Sequence, residues 1–182
     1  MQMTLDGYIW DSEEQVDWVD SWADGLELLP AVDAFVLGAG MFPQYEQFWT
    51  AILDDPEAAS EMLGREPYPR ELAYARTAKA TPHLVLSRTL TETTWPSARV
   101  VRDLSELRAL KEAPGRPVYV VGGPGLVGGL LDAGLLDEIR LIVHPLTVGS
   151  GKALFPSRRA LELVAAAPLA GGRVGLTYRP RP

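Results

Sequence analysis

The sequence predicts an α/β protein with a mostly parallel sheet, helices on both of its faces and an antiparallel C-terminal hairpin. Short apolar runs of strand character alternate with amphipathic segments of helical period, which favours parallel strands joined by helical crossovers. These runs are residues 34–38, 83–87, 98–102 and 118–121. The chain's end differs, because residues 161–167 and 174–179 flank Ala170-Gly171-Gly172, a pattern typical of a hairpin.

Length and composition favour one globular domain spanning residues 1–182. The chain has 182 residues, of which 47% are hydrophobic, enough to bury one substantial core. A formal net charge of -7 argues against general nucleic-acid binding, which requires a basic surface. No apolar run approaches the roughly 20 residues of a membrane-spanning helix, and no signal peptide opens the chain, so we expect a cytoplasmic protein with a small-molecule substrate.

Cysteine and histidine usage excludes several kinds of site. The chain has no cysteine, which excludes disulfides, iron–sulfur clusters and a cysteine nucleophile. Its two histidines, His83 and His144, are far apart in sequence, so no metal site is predicted. His144 alternates with core residues and precedes Pro145, which indicates a structural histidine rather than a catalyst.

The first third of the chain is predicted as a strand followed by two helices. Residues 1–9 form an extended segment that turns at Leu5-Asp6-Gly7, and it begins abruptly, as if residues upstream were missing or the start were assigned late. Ser12 and Gln15 read as a capping box for a first helix. Its apolar face would consist of Val19, Trp22, Ala23, Leu26 and Leu29. The second helix would carry Phe42, Tyr45, Trp49 and Ile52.

The later segments give signals of unequal strength. Residues 54–80 give a weak helical signal and could be a surface excursion or a lid. Asp103 and Glu106 read as a capping box for a helix that Pro114-Gly115 stops. Gly134 is expected to terminate the helix that follows the strand at 118–121.

The glycine-rich stretch VYVVGGPGLVGGLL, residues 118–131, leads from a strand into a helix. Unpaired N–H groups and the dipole at such a helix start favour an anion, in particular a phosphate. Gly123-x-Gly125-x-x-Gly128 formally matches the dinucleotide fingerprint. However, the turn follows several strands and no carboxylate ends the next one, so an ordinary Rossmann unit is not indicated. A tight turn without a ligand remains the alternative.

These motifs together resemble a known family. The segment VYVVGGPGLVGGLLDAGLLDEIRLIVHPLTVGSGKALF looks like the core of the RibD C-terminal, dihydrofolate-reductase-like domain, the reductase half of bifunctional deaminase-reductases. MTLDGYIW near the start, VLSRTL at residues 85–90 and the tail GRVGLTYRP extend the resemblance over nearly the whole chain. The deaminase zinc motif is missing, so the chain resembles the stand-alone reductase-like branch.

The resemblance implies a dihydrofolate-reductase-like fold that binds NADPH along the carboxyl ends of the central strands. It implies that Ser87 and Arg88 lie near the adenosine 2′-phosphate, which suits a guanidinium. Further cofactor-binding residues implied are Gly38, Gly122, Gly123, Pro124, Gly125, Leu126 and Val127. The chain departs from the family at Ala39 and Met41, where an arginine and a threonine usually contact phosphates.

The implied chemistry is hydride transfer, most of which the cofactor itself performs. Asp6 is the candidate catalytic carboxylate because the family's LDG motif places it beside the nicotinamide, although it could equally form an Asx turn with Gly7. Phe48 and Trp49 could form the substrate wall or belong to the core. The sequence therefore leaves two hypotheses: an NADPH-dependent reductase of a pterin-like, pyrimidine-like or carbonyl substrate, or a non-catalytic binding protein. The family commonly forms homodimers.

Overall fold

The computed structural model describes residues 1–24 and 32–181, which fold into two compact units. The terminal unit comprises Met1–Asp20 and Gly123–Pro182, and the central unit comprises Ser21–Gly122. The strands are β1 Gln2–Thr4, β2 Tyr8–Asp11, β3 Ala34–Gly38, β4 His83–Leu86, β5 Ala98–Val101, β6 Val118–Val121, β7 Ile139–His144, β8 Gly151–Ala153, β9 Leu161–Pro168 and β10 Val174–Pro180. The helices are α1 Phe42–Asp54, α2 Pro56–Leu63, α3 Pro69–Ala80, α4 Leu104–Glu112 and α5 Pro124–Asp132. That residues 1–182 act as one domain stays a prediction.

The central unit is built on a fully parallel four-stranded sheet in the order β5-β4-β3-β6. All four strands are the apolar runs that the sequence singles out. Helices α1–α3 connect β3 to β4 and α4 connects β5 to β6, whereas residues 87–97 connect β4 to β5 without a helix. β3 lies at the centre with Phe35 and Leu37 fully buried. A strand covered on both faces reads as a continuous apolar run, which is why AFVLG is recognisable from the sequence.

Helices α2 and α3 belong to the core of the central unit, so residues 54–80 are neither a loose excursion nor a lid. Ala59, Tyr74, Ala75 and Ala78 are buried against the α1 aromatic residues. The helical signal is weak because α3 buries two alanines and a glutamate beside a single aromatic residue, Tyr74. Its N-terminus is secured by the buried carboxylate of Glu71, which accepts hydrogen bonds from the Tyr68 N–H at 2.8 Å and from Arg65 at 2.9 Å.

A chain of buried hydrogen bonds crosses the core of the central unit. The Nδ1–H of His83 donates to the Thr81 carbonyl at 2.8 Å, so the His83 Nε2 is left to accept from the Tyr45 hydroxyl at 3.4 Å. Tyr45 and Tyr74 join their hydroxyls at 2.8 Å, and the imidazole stacks on Phe35 with ring centroids 4.8 Å apart. Burial lowers the pKa of His83 to about 4, against the 6.5 of an exposed histidine. His83 is therefore neutral at physiological pH.

The terminal unit contains a mixed sheet in the order β1-β7-β10-β9. β1 pairs parallel with β7, whereas β10 pairs antiparallel with both β7 and β9. The β9–β10 hairpin confirms the sequence prediction, and its turn is a 3₁₀ segment at Ala170–Gly172. Ile9, Ile139, Leu141 and Leu154 form the buried core of this unit. His144 is buried with its Nε2 2.8 Å from the Gln2 Oε1, which fits a structural role.

The helix predicted from Ser12 is wrong over the residues that the structure describes. Residues 12–24 form turns and bends, and Trp22 is 45% exposed. The Asp11 Oδ1 accepts from the N–H groups of Glu13 and Gln15, both at 2.8 Å, so it satisfies amides locally without a helix. Glu14 adopts a left-handed φ of 60° within this turn. Leu26 and Leu29 lie outside the described residues.

The depressed pKa of His83 predicts an acid-dependent loss of stability. The unfolded chain binds a proton at His83 near pH 6.5, whereas the folded chain resists it until about pH 4. The contribution of His83 to the free energy of unfolding should therefore be fully present above pH 6.5. It should be lost as the pH drops toward 4, and the total loss should be about 3 kcal/mol. Denaturant unfolding at a series of pH values measures the slope.

The matched variants for this prediction are His83→Gln and Tyr45→Phe. The first removes the titrating ring and should flatten the slope between pH 6.5 and 4, whereas the second keeps the ring buried and should retain the slope. An unchanged slope in His83→Gln would contradict the assignment.

Candidate functional site

The carboxyl ends of four parallel strands meet at one edge of the central sheet. The register pairs Gly38 of β3 with Leu86 of β4, and Leu86 with Val101 of β5. On the other side of β3, Leu37 pairs with Val121 of β6. The chain runs from β3 outward through β4 to β5 and then crosses back to β6, so the strand order reverses between β3 and β6. Open α/β sheets bind ligands outside such a reversal point.

Four residues implied by the resemblance lie at this edge. Gly38 ends β3, Ser87 and Arg88 directly follow β4, and Gly122 directly follows β6. The central unit thus brings together residues that are up to 84 positions apart in the sequence (122 − 38). The β3–α1 connection at this edge consists of Ala39, Gly40 and Met41, and a Cβ placed on Gly40 would have no neighbour within 4 Å.

Ser87 and Arg88 have distinct environments in the turn after β4. Ser87 is 7% exposed, and its Oγ accepts from the N–H groups of Thr89 at 3.1 Å and Leu90 at 2.8 Å. Its hydroxyl therefore shapes the turn. Arg88 is exposed, and within residues 1–24 and 32–181 its guanidinium makes no ion pair or hydrogen bond. A guanidinium displayed in this way is available to a phosphate dianion.

The glycine turn begins at Gly122 and continues into the terminal unit as helix α5. Gly123 is the N-cap, with an extended backbone and no capping side chain, and the Val127 N–H donates to its carbonyl at 3.1 Å. A Cβ placed on Gly123 or Gly125 would meet no atom within 4 Å. Pro124 starts the helix, Leu126 is partly buried, and Val127 packs on the terminal unit's core. The first turn of α5 thus has N–H groups that no side chain caps, and the space beside Gly123 and Gly125 is open.

Asp6 ties two loops of the terminal unit together. Its carboxylate accepts from the Thr4 hydroxyl at 2.6 Å, from the Gly149 N–H at 2.8 Å and from the Val148 N–H at 3.2 Å. These bonds, that from Thr4 first, lower the pKa of Asp6 below its ordinary value although the group is exposed. Asp6 is therefore an ionised acceptor, a state suited to positioning the 147–151 loop. Sequence reasoning missed the partners at Val148 and Gly149, which lie 142 and 143 positions away.

Phe48 and Trp49 occupy different positions on helix α1. Trp49 is 2% exposed and packs edge-on against Tyr74, with ring centroids 4.4 Å apart. Phe48 is partly buried and packs edge-on against Trp49 at 4.7 Å. The burial of Trp49 agrees with the core alternative, and Phe48 has the more accessible ring. Their part in substrate binding stays a prediction.

Metal-binding clusters and membrane-spanning helices were sought among the residues that the structure describes. Among the described residues, no cluster of three or more His, Asp or Glu side chains is arranged to hold a metal ion. No helix in that part of the chain has the length and apolar character needed to cross a bilayer.

Replacement of Asp6 by asparagine should loosen the 147–151 loop. An amide presents one acceptor oxygen in place of two and carries no charge, so the bonds from Val148 and Gly149 weaken. Amide hydrogen exchange at these two residues should accelerate in Asp6→Asn. Asp17→Asn removes an exposed carboxylate from the same unit and should leave both amides unchanged. Equal protection in Asp6→Asn and the parent protein would refute the tie.

Comparison with known proteins places this geometry in a family. A curated relative, the uncharacterized protein YyaP of Bacillus subtilis strain 168, is 28% identical over 185 residues, covering 98% of this chain and 91% of that protein. A putative riboflavin biosynthesis protein from Shewanella has a similar structure, with a TM-score of 0.68 and 22% identity, covering 100% of this chain and 97% of that one.

Two more solved structures share the fold. A deaminase/reductase of Thermotoga maritima gives a TM-score of 0.60 at 19% identity, covering 99% of this chain and 55% of that one. Dihydrofolate reductase from Enterococcus faecalis, complexed with NADP(H) and RAB-propyl, gives a TM-score of 0.59 at 17% identity, covering 100% of this chain and 94% of that one. The fold is therefore dihydrofolate-reductase-like. The model of the RibD C-terminal domain matches residues 1–170, and the chain belongs to that family.

Proposed function

We propose that this protein is an NADPH-dependent reductase that transfers a hydride to a small heterocyclic substrate, pterin-like or pyrimidine-like, or to a carbonyl compound. The observation that carries the proposal is the carboxyl edge of the central sheet. There the strand order reverses between Gly38 and Gly122, and an exposed arginine follows the adjacent strand. Family membership supports a reductase-type scaffold.

The residues present suit a nicotinamide dinucleotide. The open backbone at Gly123 and Gly125, followed by the helix start with Pro124, Leu126 and Val127, suits a pyrophosphate because no Cβ blocks approach to the N–H groups. Arg88 suits the 2′-phosphate, and Ser87 shapes its turn. When bound, the cofactor would supply a hydride. We assign the chain's own residues to holding and orienting it.

Asp6 is assigned to loop positioning in this proposal rather than to proton donation. Its lowered pKa keeps the carboxylate ionised at neutral pH, and its oxygens already accept from Thr4, Val148 and Gly149. The proton that completes the reduced product is therefore assigned to water or to a substrate group. Hydride transfer demands little of protein side chains beyond holding nicotinamide and substrate together, so a purely positioning role for Asp6 is compatible with the proposed reaction.

The alternative is a non-catalytic ligand-binding protein on the same scaffold. The observation that favours it is the β3–α1 connection, where Ala39 and Met41 supply neither a guanidinium nor a hydroxyl for a phosphate. Backbone groups at Gly38 and Gly40 are what remains there. The two proposals differ in whether NADPH binds at all.

Thermal unfolding with nicotinamide cofactors separates these proposals. NADPH at about 100 times its Kd should raise the melting temperature by roughly 5–10 °C, because it binds the folded state alone. Arg88→Ala should weaken NADPH about tenfold or more and leave NADH nearly unchanged, since the 2′-phosphate is the group that it contacts. Arg76→Ala, which removes an exposed arginine from α3, is the charge control. No shift at millimolar NADPH, NADH or NADP⁺ would refute the reductase proposal.

We also propose that the protein forms a homodimer through strand β9, in keeping with a cytoplasmic enzyme of this family. Among the described residues β9 is an edge strand that pairs with β10 alone, and its sequence LELVAAAP is largely apolar. Seven of its eight residues are exposed, including Leu163 at 54% and Val164 at 46%. Apolar strand edges with unpaired backbone groups associate with another chain unless charge or proline protects them. The charge and the proline of β9, Glu162 and Pro168, lie near its two ends, and residues 163–167 between them carry neither.

A lysine in β9 should disrupt the dimer. Leu163→Lys places a charge on the apolar strand, which opposes burial in an interface, so the species seen in sedimentation velocity should shift from dimer to monomer. Met62→Lys changes an equally exposed apolar residue on α2, 48% exposed, and should leave the mass unchanged. A monomeric parent protein, or a dimer that survives Leu163→Lys, would contradict the assignment of β9.

A further inference from the structure

A second arginine contacts the turn that displays Arg88. Val101, the last residue of β5, pairs with Leu86 of β4, so Arg102 begins the segment beside Ser87 at the carboxyl edge of the sheet. One terminal nitrogen of the Arg102 guanidinium donates to the Ser87 carbonyl at 3.0 Å and to the Leu90 carbonyl at 2.7 Å. These two carbonyls stand at the two ends of the Ser87–Leu90 turn.

The same turn is also fixed from within. The Ser87 Oγ accepts from the N–H groups of Thr89 and Leu90, and the Ser87 N–H continues the ladder to the Val101 carbonyl at 3.0 Å. Ser87 and Leu90 are thus each held twice, once by the serine hydroxyl's bonds and once by Arg102. Arg88 lies between them with its side chain exposed. Hydrogen bonds from a charged donor contribute more than neutral ones, so Arg102 is the stronger of the two restraints.

We propose that Arg102 is a positioning residue for cofactor choice: by joining the carbonyls of Ser87 and Leu90 it holds the turn in the conformation from which Arg88 meets the 2′-phosphate of NADPH. This inference rests on the proposed NADPH-dependent function and adds a residue that sequence patterns do not single out. A rigid turn loses little conformational freedom when the phosphate binds, which strengthens binding without a new contact.

The two hydrogen bonds from Arg102 to the turn can be tested on the free protein. In Arg102→Ala, hydrogen exchange at the Thr89 and Leu90 amides should accelerate about tenfold or more, because the turn opens once its carbonyls lose their donor. Arg99→Ala is the matched control, since Arg99 is an exposed arginine of β5, three residues before Arg102, and its partner is Glu106 on α4. Arg102→Lys keeps a charged donor with three N–H groups and should restore part of the protection. Unchanged exchange in Arg102→Ala would overturn the proposal.

Calorimetric binding of NADPH and NADH to the same variants tests the consequence. Arg102→Ala should weaken NADPH about tenfold and NADH less than about twofold, and Arg102→Lys should recover part of the preference. In the double variant Arg88→Ala/Arg102→Ala, the loss should match that of Arg88→Ala alone, because a positioning residue acts through the side chain it positions. Additive losses, or equal losses of NADPH and NADH, would overturn the proposal.

The reductase proposal and the positioning role of Arg102 can be refuted separately. If the parent protein binds neither cofactor, the reductase proposal fails and the positioning role fails with it. This holds even if hydrogen exchange shows that Arg102 restrains the turn. If the parent protein prefers NADPH and Arg102→Ala keeps that preference, the positioning role alone is refuted.

Discussion

The parallel ladder of the central sheet is the constraint on which the candidate site depends. Parallel strands require a crossover between successive members, so their carboxyl ends all point to one edge. The pairing of Gly38 with Leu86, and of Leu86 with Val101, brings the residues that follow these strands side by side. A shift of one residue in the β4–β5 register would turn the side chains of one strand to the opposite face and separate Ser87 from Arg102. Burial of Phe35, Leu37 and Val85 therefore fixes the site as well as the core.

Side chains that bond to backbone groups then give the loops at the site their shape. The Ser87 hydroxyl and the Arg102 guanidinium restrain the turn after β4, and the Asp6 carboxylate ties β1's turn to the 147–151 loop. Loops carry unpaired N–H and C=O groups, which must find partners when no ladder continues. Here the side chains of Ser87, Arg102 and Asp6 supply some of those partners. Arg88 is informative because, within the described chain, no such bond occupies it.

The sequence predicts strands better than it predicts the segments around residue 20 and residues 54–80. AFVLG and VYVV are apolar throughout and bounded by glycine or proline, so their periodicity leaves little ambiguity. The Ser12 capping box fails because capping motifs also fit turns, and Asp11 satisfies the same amides locally. α3 is hard to recognise because it buries alanines, whose apolar signal is small, together with Glu71, whose charge Arg65 neutralises.

The site is less predictable than the fold for a related reason. The family resemblance names Ser87, Arg88 and Asp6, but the partners that define their roles are distant in sequence. Asp6 contacts Gly149, and Ser87 contacts the donor Arg102, which lies 15 positions later, directly after β5. Spacing patterns report neighbours along one helix or strand and carry no signal for such contacts. The three-dimensional hydrogen-bond partners, not the spacing of the residues, define these roles.

Contacts within the described chain do not explain the glycines of α5, in contrast to the glycine at residue 151. Gly151 is required by the fold, since its φ is +148° and a Cβ there would lie 2.0 Å from the Trp10 carbonyl oxygen. Gly123, Gly125, Gly128 and Gly129 meet no atom of the described chain at the Cβ position, and their backbones are not left-handed. Helical glycines cost about 1 kcal/mol each relative to alanine, so 125, 128 and 129 weaken α5 with no packing gain in return. A molecule that approaches the helix backbone closely at the first turn would account for that cost at Gly125, and a pyrophosphate is the one that the proposed function supplies.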